Sequence, residues 1–205
     1  MNPGKIIILN GTSSSGKTSI LHALQDMMAE PYLDAGIDKF IWMLPERYLE
    51  RPLWDDVLGL ATTAGETGHH LMHGMHQAIA TLSENGWNVV ADHVLVEPGW
   101  LEECGRLFAD LPAYLIAIRC PLEVLVKREK SRRNRTLGQA TAQFPLVHRH
   151  GVYDLEVDTS IMSVKECARA IKARVESAEP PMTLSKLAGK AIRNQAPSLL
   201  TRDDH

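Results

Sequence analysis

Ile6-Ile7-Ile8-Leu9 is an unbroken apolar run, rich in β-branched residues and bounded by turn formers. That pattern predicts a short strand buried on both faces, as in a parallel sheet. A Gly/Ser-rich turn follows, and Ile20, Leu24, Met27 and Met28 then recur at helical spacing until Pro31 stops them. Residues 32–37 read as a second strand ending at Asp38, and residues 40–67 are irregular, with breaks at Pro45 and Pro52. Leu71, Met75, Ile79 and Leu82 predict a helix that ends near Asn85-Gly86. Strands are expected at 87–91, running into Asp92, and at 113–118, running into Arg119, with a helix over about 99–109 between them. Pro121 suits the first turn of a helix reaching about Arg132. A shorter helix is expected over 138–147 and a last, alternating strand over 153–158, before Val164, Ala168, Ile171 and Val175 mark a closing helix. Strands alternating with helices predict an α/β fold, a parallel β-sheet flanked by helices, which binds its ligands at the carboxyl ends of the strands.

Composition narrows this picture without changing it. The chain has 205 residues, enough for one ordinary domain, and its 44% apolar and 23% charged content is that of a chain with a sizeable core. We expect a domain over residues 1–178 and a tail over 179–205, partly helical or frayed, beginning at Pro180-Pro181. A formal charge of −3 gives no global reason to expect nucleic acid or an anionic membrane as partner. No apolar run approaches the ~20 residues of a membrane span, and Met1 to Lys5 leads into only four strongly apolar residues, so no secretory signal is expected. Cys104, Cys120 and Cys167 are odd in number and far apart, which fits a reducing cytoplasm better than a disulfide framework or a metal knuckle. The sequence leaves a homo-oligomer open.

The candidate chemistry begins between the first strand and the first helix. Gly11-Thr12-Ser13-Ser14-Ser15-Gly16-Lys17-Thr18 matches the phosphate-binding P-loop pattern G-x-x-x-x-G-K-[ST] in full, in the expected setting. Gly11 and Gly16 are expected to permit backbone angles that turn successive N–H groups toward a phosphate. The helix N-terminus adds partial positive charge, so Gly11, Thr12, Ser13, Ser14, Ser15, Gly16, Lys17, Thr18 and Ser19 are the candidate nucleotide-binding residues. Lys17 supplies a point charge for the β- and γ-phosphates, and the Thr18 hydroxyl can coordinate Mg²⁺. Asp92, at a strand end, is placed to hold the Mg²⁺ shell directly or through water, against the plainer reading of an Asp that caps a turn. Asp158 competes less well, because Asp154 and Glu156 share its segment.

Residues 127–135 hold six cationic side chains and one anionic one, in an otherwise acidic chain. A charge run is usually a solvated helix face. This one follows the fourth strand and its helix, where small P-loop kinases carry a mobile lid, expected here around 127–145. Arg132 and Arg135 could then close over a transferring phosphoryl group and stabilise its charge. His69, His73 and His76 share one flank of a helix at a spacing that can hold a metal, but no acidic residue completes an H-E-x-x-H motif. Structural or pocket-lining histidines are the favoured reading, with His148 and His150 as loop residues.

The P-loop, Glu30-Pro31-Tyr32-Leu33, Gly36-Ile37-Asp38, the segment from Arg128 to Arg135, Val147-His148, and Tyr153-Asp154-Leu155-Glu156-Val157-Asp158-Thr159 together resemble the chloramphenicol phosphotransferase family, over roughly residues 4–177. The resemblance implies a P-loop kinase with the three-layer, shikimate-kinase-like architecture of the P-loop nucleoside triphosphate hydrolases. It implies transfer of the ATP γ-phosphate to a hydroxyl of a small molecule, in the type member a primary hydroxyl of the antibiotic, and hence a place in antibiotic resistance. By motif, Lys17 and Thr18 would hold nucleotide and metal, Asp92 would serve the metal side, Arg132 and Arg135 would be the lid arginines, and Asp38 would be the general base. Asp34 is the local rival to Asp38, and an N-cap role is the plainer reading of Asp38. Alternatives are a nucleoside or nucleotide kinase and a nucleotide-binding regulatory protein without transfer chemistry. A GTPase switch lacks its Asn-Lys-x-Asp motif, and Asp56-Val57-Leu58-Gly59 is a D-x-x-G match in the irregular region.

Overall fold

A computed structural model describes residues 2–50, 53–58, 62–131 and 137–188 of the chain. Five strands, β1 (Ile6–Asn10), β2 (Tyr32–Asp34), β3 (Asn88–His93), β4 (Ala113–Arg119) and β5 (Leu155–Asp158), form one sheet in the order β2-β3-β1-β4-β5. Every pairing is parallel, with Leu9 opposite Asp92 and Ile116 and Asn10 opposite His93 and Ala117. The fully apolar first run is explained by its place: β1 is central, and side chains alternate between two covered faces. Ile6 and Ile8 enter one core with Met72, Met75 and Ile79 of α4 (Glu66–Glu84) and Trp100, Leu101 and Phe108 of α5 (Pro98–Phe108). Ile7 and Leu9 enter the other with Ile20 and Leu24 of α1 (Lys17–Met27) and Ile171 and Val175 of α8 (Val164–Glu176). The molecule is therefore a helix–sheet–helix sandwich of three layers, as expected.

Two expectations about the second strand are corrected. Strand β2 ends at Asp34, not at residue 37. The Asp34 carboxylate accepts the Gly36 N–H at 3.0 Å, an Asx turn that diverts the chain into α2 (Ile37–Ile41). The general-base reading of Asp38 also expects this strand beside the first, whereas β2 pairs with β3 at the sheet edge and does not neighbour β1. The region read as irregular contains a 3-10 turn at Glu46–Tyr48 and α3 (Leu53–Val57). Asp56 of the D-x-x-G match thus sits in a helix, while its Gly59 lies outside the described residues.

Helix α6 (Leu122–Ser131) follows β4 and α7 (Gln139–Val147) precedes β5, the two flanking the expected lid. Arg132, Arg135 and the tail from 189 onward lie outside the described residues. The start of the tail is docked: residues 183–188 are helical, Leu184 is buried in the α4/α5 core, and Asp154 accepts the N–H groups of Met182 and Thr183 at 2.8 and 3.2 Å. Among the described residues, no helix is long and apolar enough to cross a membrane.

Candidate active site

The P-loop leaves the carboxyl end of β1 between β3 and β4, where consecutive connections run in opposite directions, the general ligand position of such sheets. Its geometry divides the roles of its residues. Gly16 has φ 94°, so the left-handed turn before α1 needs a residue without a Cβ. Gly11 is required for a different reason than the backbone freedom expected of it. A Cβ there would lie 2.7 Å from the Ile118 carbonyl oxygen, so close packing excludes a side chain. The other left-handed residue of the loop is Ser14, at φ 66°.

Lys17 is buried, and its ammonium donates to the Gly11 and Thr12 carbonyls at 2.7 and 2.9 Å. The cation is thereby held inside the curve of the loop. The hydroxyls of Ser14 and Ser15 are buried and have no hydrogen-bond partner among the described residues. Two such donors beside a buried ammonium and a helix N-terminus suit a multiply charged phosphate chain. The Thr18 hydroxyl donates to Asp92 Oδ2 at 2.6 Å. The two metal-side candidates thus lie side by side, and their donor set is all oxygen, the set Mg²⁺ prefers. Ser19, the last nucleotide-binding candidate, is exposed on the first turn of α1 and does not line the pocket.

Asp38 opens α2 as its second residue, and Gly36 is the N-cap, so the capping role weighed for Asp38 is overturned. Asp38 lines one cavity with Lys17, Thr18 and Asp92, and Ile37, Ile41, Trp54, Leu58 and Val94 give that cavity an apolar side. Asp34 is turned elsewhere: one oxygen holds Gly36 N–H and the other faces Lys39 Nζ at 3.4 Å. Gly36 connects the two carboxylates of the site, since a Cβ on it would lie 2.2 Å from Asp92 Oδ1.

The basic run is not uniform. Arg128 points inward and donates to the Thr159 hydroxyl and carbonyl at 2.9 and 2.8 Å, and the Thr159 hydroxyl donates to the Ser15 carbonyl at 2.9 Å. Glu129, the only acid of the run, is buried and accepts the N–H groups of Gly138 and Ala140 at 2.8 and 2.9 Å. It caps α7 and ties it to α6. Gln139 and Gln143 also line the cavity, and neither carried a motif that sequence reasoning could have found. The only hint was their place in the helix that follows the basic run.

The histidine flank serves structure. A larger cleft, about 680 Å³, includes His69, His73 and Glu103 but none of residues 11–18, and among the described residues no group of three or more metal-ligating side chains forms. His76 and His93 are wholly buried. Val94 N–H donates to His93 Nδ1 at 2.7 Å, so neutral His93 carries its proton on Nε2 and donates to His76 Nε2 at 2.9 Å. His76 is then protonated on Nδ1 and donates to Glu103 Oε2 at 2.6 Å, an oxygen pair shared with His73. Burial pushes both buried imidazoles below the usual histidine range, His93 furthest, with His76 and Lys17 adding repulsion. Burial raises the Glu103 carboxyl, but the hydrogen bonds from His73 and His76 outweigh it and the net shift is downward.

Comparison with known proteins agrees with this geometry. A Mycobacterium tuberculosis (strain ATCC 25618 / H37Rv) protein named "Putative O-phosphotransferase Rv2636" is 34% identical over 200 residues, 91% of this chain and 89% of that protein. The fold matches Mycobacterium tuberculosis APS kinase CysC, solved in complex with AMPPNP and APS, at a TM-score of 0.59 and 15% identity, over 86% of this chain and 100% of that one. It matches a gluconokinase from Sinorhizobium meliloti 1021 at a TM-score of 0.56 and 17% identity, over 94% and 98%. Residues 4–176 match the family described as Chloramphenicol phosphotransferase-like protein. The chain belongs to that family and is a phosphotransferase with a P-loop kinase fold.

Proposed function

We propose that the protein transfers the γ-phosphoryl group of ATP to a hydroxyl of a small molecule with an apolar body, chloramphenicol or a related alcohol being the first candidates. The observation that carries this reading is the shared cavity, lined by the Asp38 and Asp92 carboxylates, by Lys17 and by apolar side chains. A hydroxyl is a weak nucleophile, and a carboxylate that orients it and accepts its proton speeds its attack. In the proposed step the acceptor oxygen bonds to the γ-phosphorus, the bond to the leaving ADP oxygen breaks, and the acceptor proton passes to Asp38. Lys17 and the loop N–H groups balance the charge that spreads over the phosphoryl oxygens. Thr18 and Asp92 would hold Mg²⁺, which when bound neutralises phosphate charge. Arg132 and Arg135 complete the proposal as lid residues. The three cysteines are free thiols, which supports a reducing, cytoplasmic setting.

The test is to incubate the protein with Mg-ATP and a panel of hydroxylated metabolites and antibiotics that includes chloramphenicol. Mass spectrometry should find ADP and one product heavier by a phosphoryl group. ATP bound but transferred to no alcohol in the panel, with a nucleoside phosphorylated instead, would replace this reading with that of a nucleoside kinase.

A further inference from the structure

Helix α7 is tied to the P-loop by contacts that the proposed chemistry does not use. Its N-terminus is held by Glu129, and the Val147 carbonyl near its C-terminus accepts Asn10 Nδ2 at 2.8 Å, one residue before the loop begins. Between these anchors, Gln143 is buried and its Oε1 accepts the N–H of Ser13 at 2.7 Å. Gln139 adds a weaker approach, 3.4 Å from the Ser13 hydroxyl.

The position of Ser13 gives this bond a consequence. The phosphate nearest the helix dipole is held by the loop where it becomes α1, at Gly16, Lys17 and Thr18. Ser13 lies on the other limb, on the cavity wall formed with Gln139 and Gln143, and Asp38 lines the same cavity. On that placement a phosphoryl group presented to an acceptor beside Asp38 would come against Ser13, and a diphosphate would end short of it.

We propose that Gln143 is a positioning residue that pins the Ser13 amide at the γ-phosphate end of the loop and so makes the site distinguish a nucleoside triphosphate from a diphosphate. This rests on the kinase reading above. Gln143 suits the task chemically. Its amide oxygen satisfies a buried N–H without adding a charge, and both ends of its helix are fixed.

The experiment compares the full chain with Gln143→Glu and Gln143→Leu, measuring magnesium-dependent binding of ADP and of the β,γ-imido analogue of ATP by calorimetry, with a melting curve for each. A carboxylate accepts the same Ser13 bond, so folded Gln143→Glu should bind ADP within about threefold, although burying its charge should lower the melting temperature. Its negative charge beside the third phosphate should weaken the triphosphate analogue by about tenfold or more. Gln143→Leu leaves the Ser13 N–H unpaired and should move the same ratio in the same direction, by about threefold. Parallel weakening of both nucleotides in either folded variant, or an unchanged ratio in both, would overturn the proposal and reduce Gln143 to helix packing. A wild-type protein that binds neither nucleotide would overturn the kinase reading together with this one.

Discussion

The two helical layers that sandwich the sheet solve different problems. On the α1/α8 side the core is apolar, and the loop above it consists of consecutive residues whose backbone carbonyls hold the Lys17 ammonium. On the α2/α4/α5 side the wall of the site is drawn from residues 37 to 58 and from Val94, and a chain of histidines runs through the packing behind it. The contrast follows from the ligands. A triphosphate has one shape and charge in every enzyme, so a local motif can hold it. An acceptor alcohol varies, and it is held by shape, built from side chains distant in sequence.

The strongest test of this division removes one group from each side. Lys17→Ala should abolish measurable transfer and weaken ATP, a loss of at least 10²–10³ in rate for a preorganised charge. Asp38→Asn should fold and bind ATP normally yet lose about 10²–10⁴ in transfer, the scale of acid–base catalysis. Near-normal phosphorylation by a folded Asp38→Asn protein would move the base elsewhere. Asp34→Asn is its control. It should cost little rate, because Asp34 is engaged with Gly36 and Lys39.

Gly36→Ala joins the two sides. The added methyl would collide with Asp92 Oδ1, and the loop can yield only by displacing α2 or the carboxylate. Overpacking of this kind costs roughly 1–3 kcal/mol. Transfer should fall with the melting temperature, and an unchanged magnesium requirement with full activity would show that Asp92 is not placed by this contact. Trp54→Ala acts on the acceptor side alone. Loss of an aromatic wall should raise the acceptor KM about tenfold while the ATP KM stays put. A matching rise in the ATP KM would erase the division between the sides.

The same contrast decides how much could be read beforehand. The apolar runs, the Gly/Ser turn and the helical periods gave the layered sheet, because each depends on neighbours in the chain. That Lys17, Thr18 and Asp92 would meet at one cavity was legible for the same reason: each sits at a strand or helix end that the pattern marks. Asp38 was reached through the family resemblance, with its setting misjudged. The pattern in residues 32–37 could not show that the Asp34 side chain would accept Gly36 N–H and end the strand three residues early. Gln143, Trp54 and the inward turn of Arg128 were invisible, since a lone Gln or Trp has no period and a charge run does not say which member turns inward. The histidine flank, read as structural or pocket-lining, is both: His73 lines a cleft, and His76 is wholly buried against His93, a strand residue that the helical pattern cannot see.

That histidine chain gives the subtlest prediction. His76 and His93 are held below the ordinary range by burial, and His148 is pushed down to about 3 by burial and by Arg119. The unfolded chain takes up protons on these groups near pH 6.5, whereas the folded protein resists doing so. Stability is then complete above about pH 6.5 and is lost as the pH falls toward the folded-state values. Glu103, shifted downward from an ordinary carboxyl value, acts in the same direction only at lower pH. Because His76 and His93 pack between α4, α5 and the sheet, acid should loosen that layer before the α1/α8 layer. Hydrogen exchange between pH 7.5 and 5.5, corrected for intrinsic rates, should show protection falling first in residues 66–84 and 98–108. Residues 17–27 and 164–176 should hold theirs over the same range. Equal loss in both layers, or none, would mean that the histidine chain does not set the acid response and that the two layers differ in chemistry but not in stability.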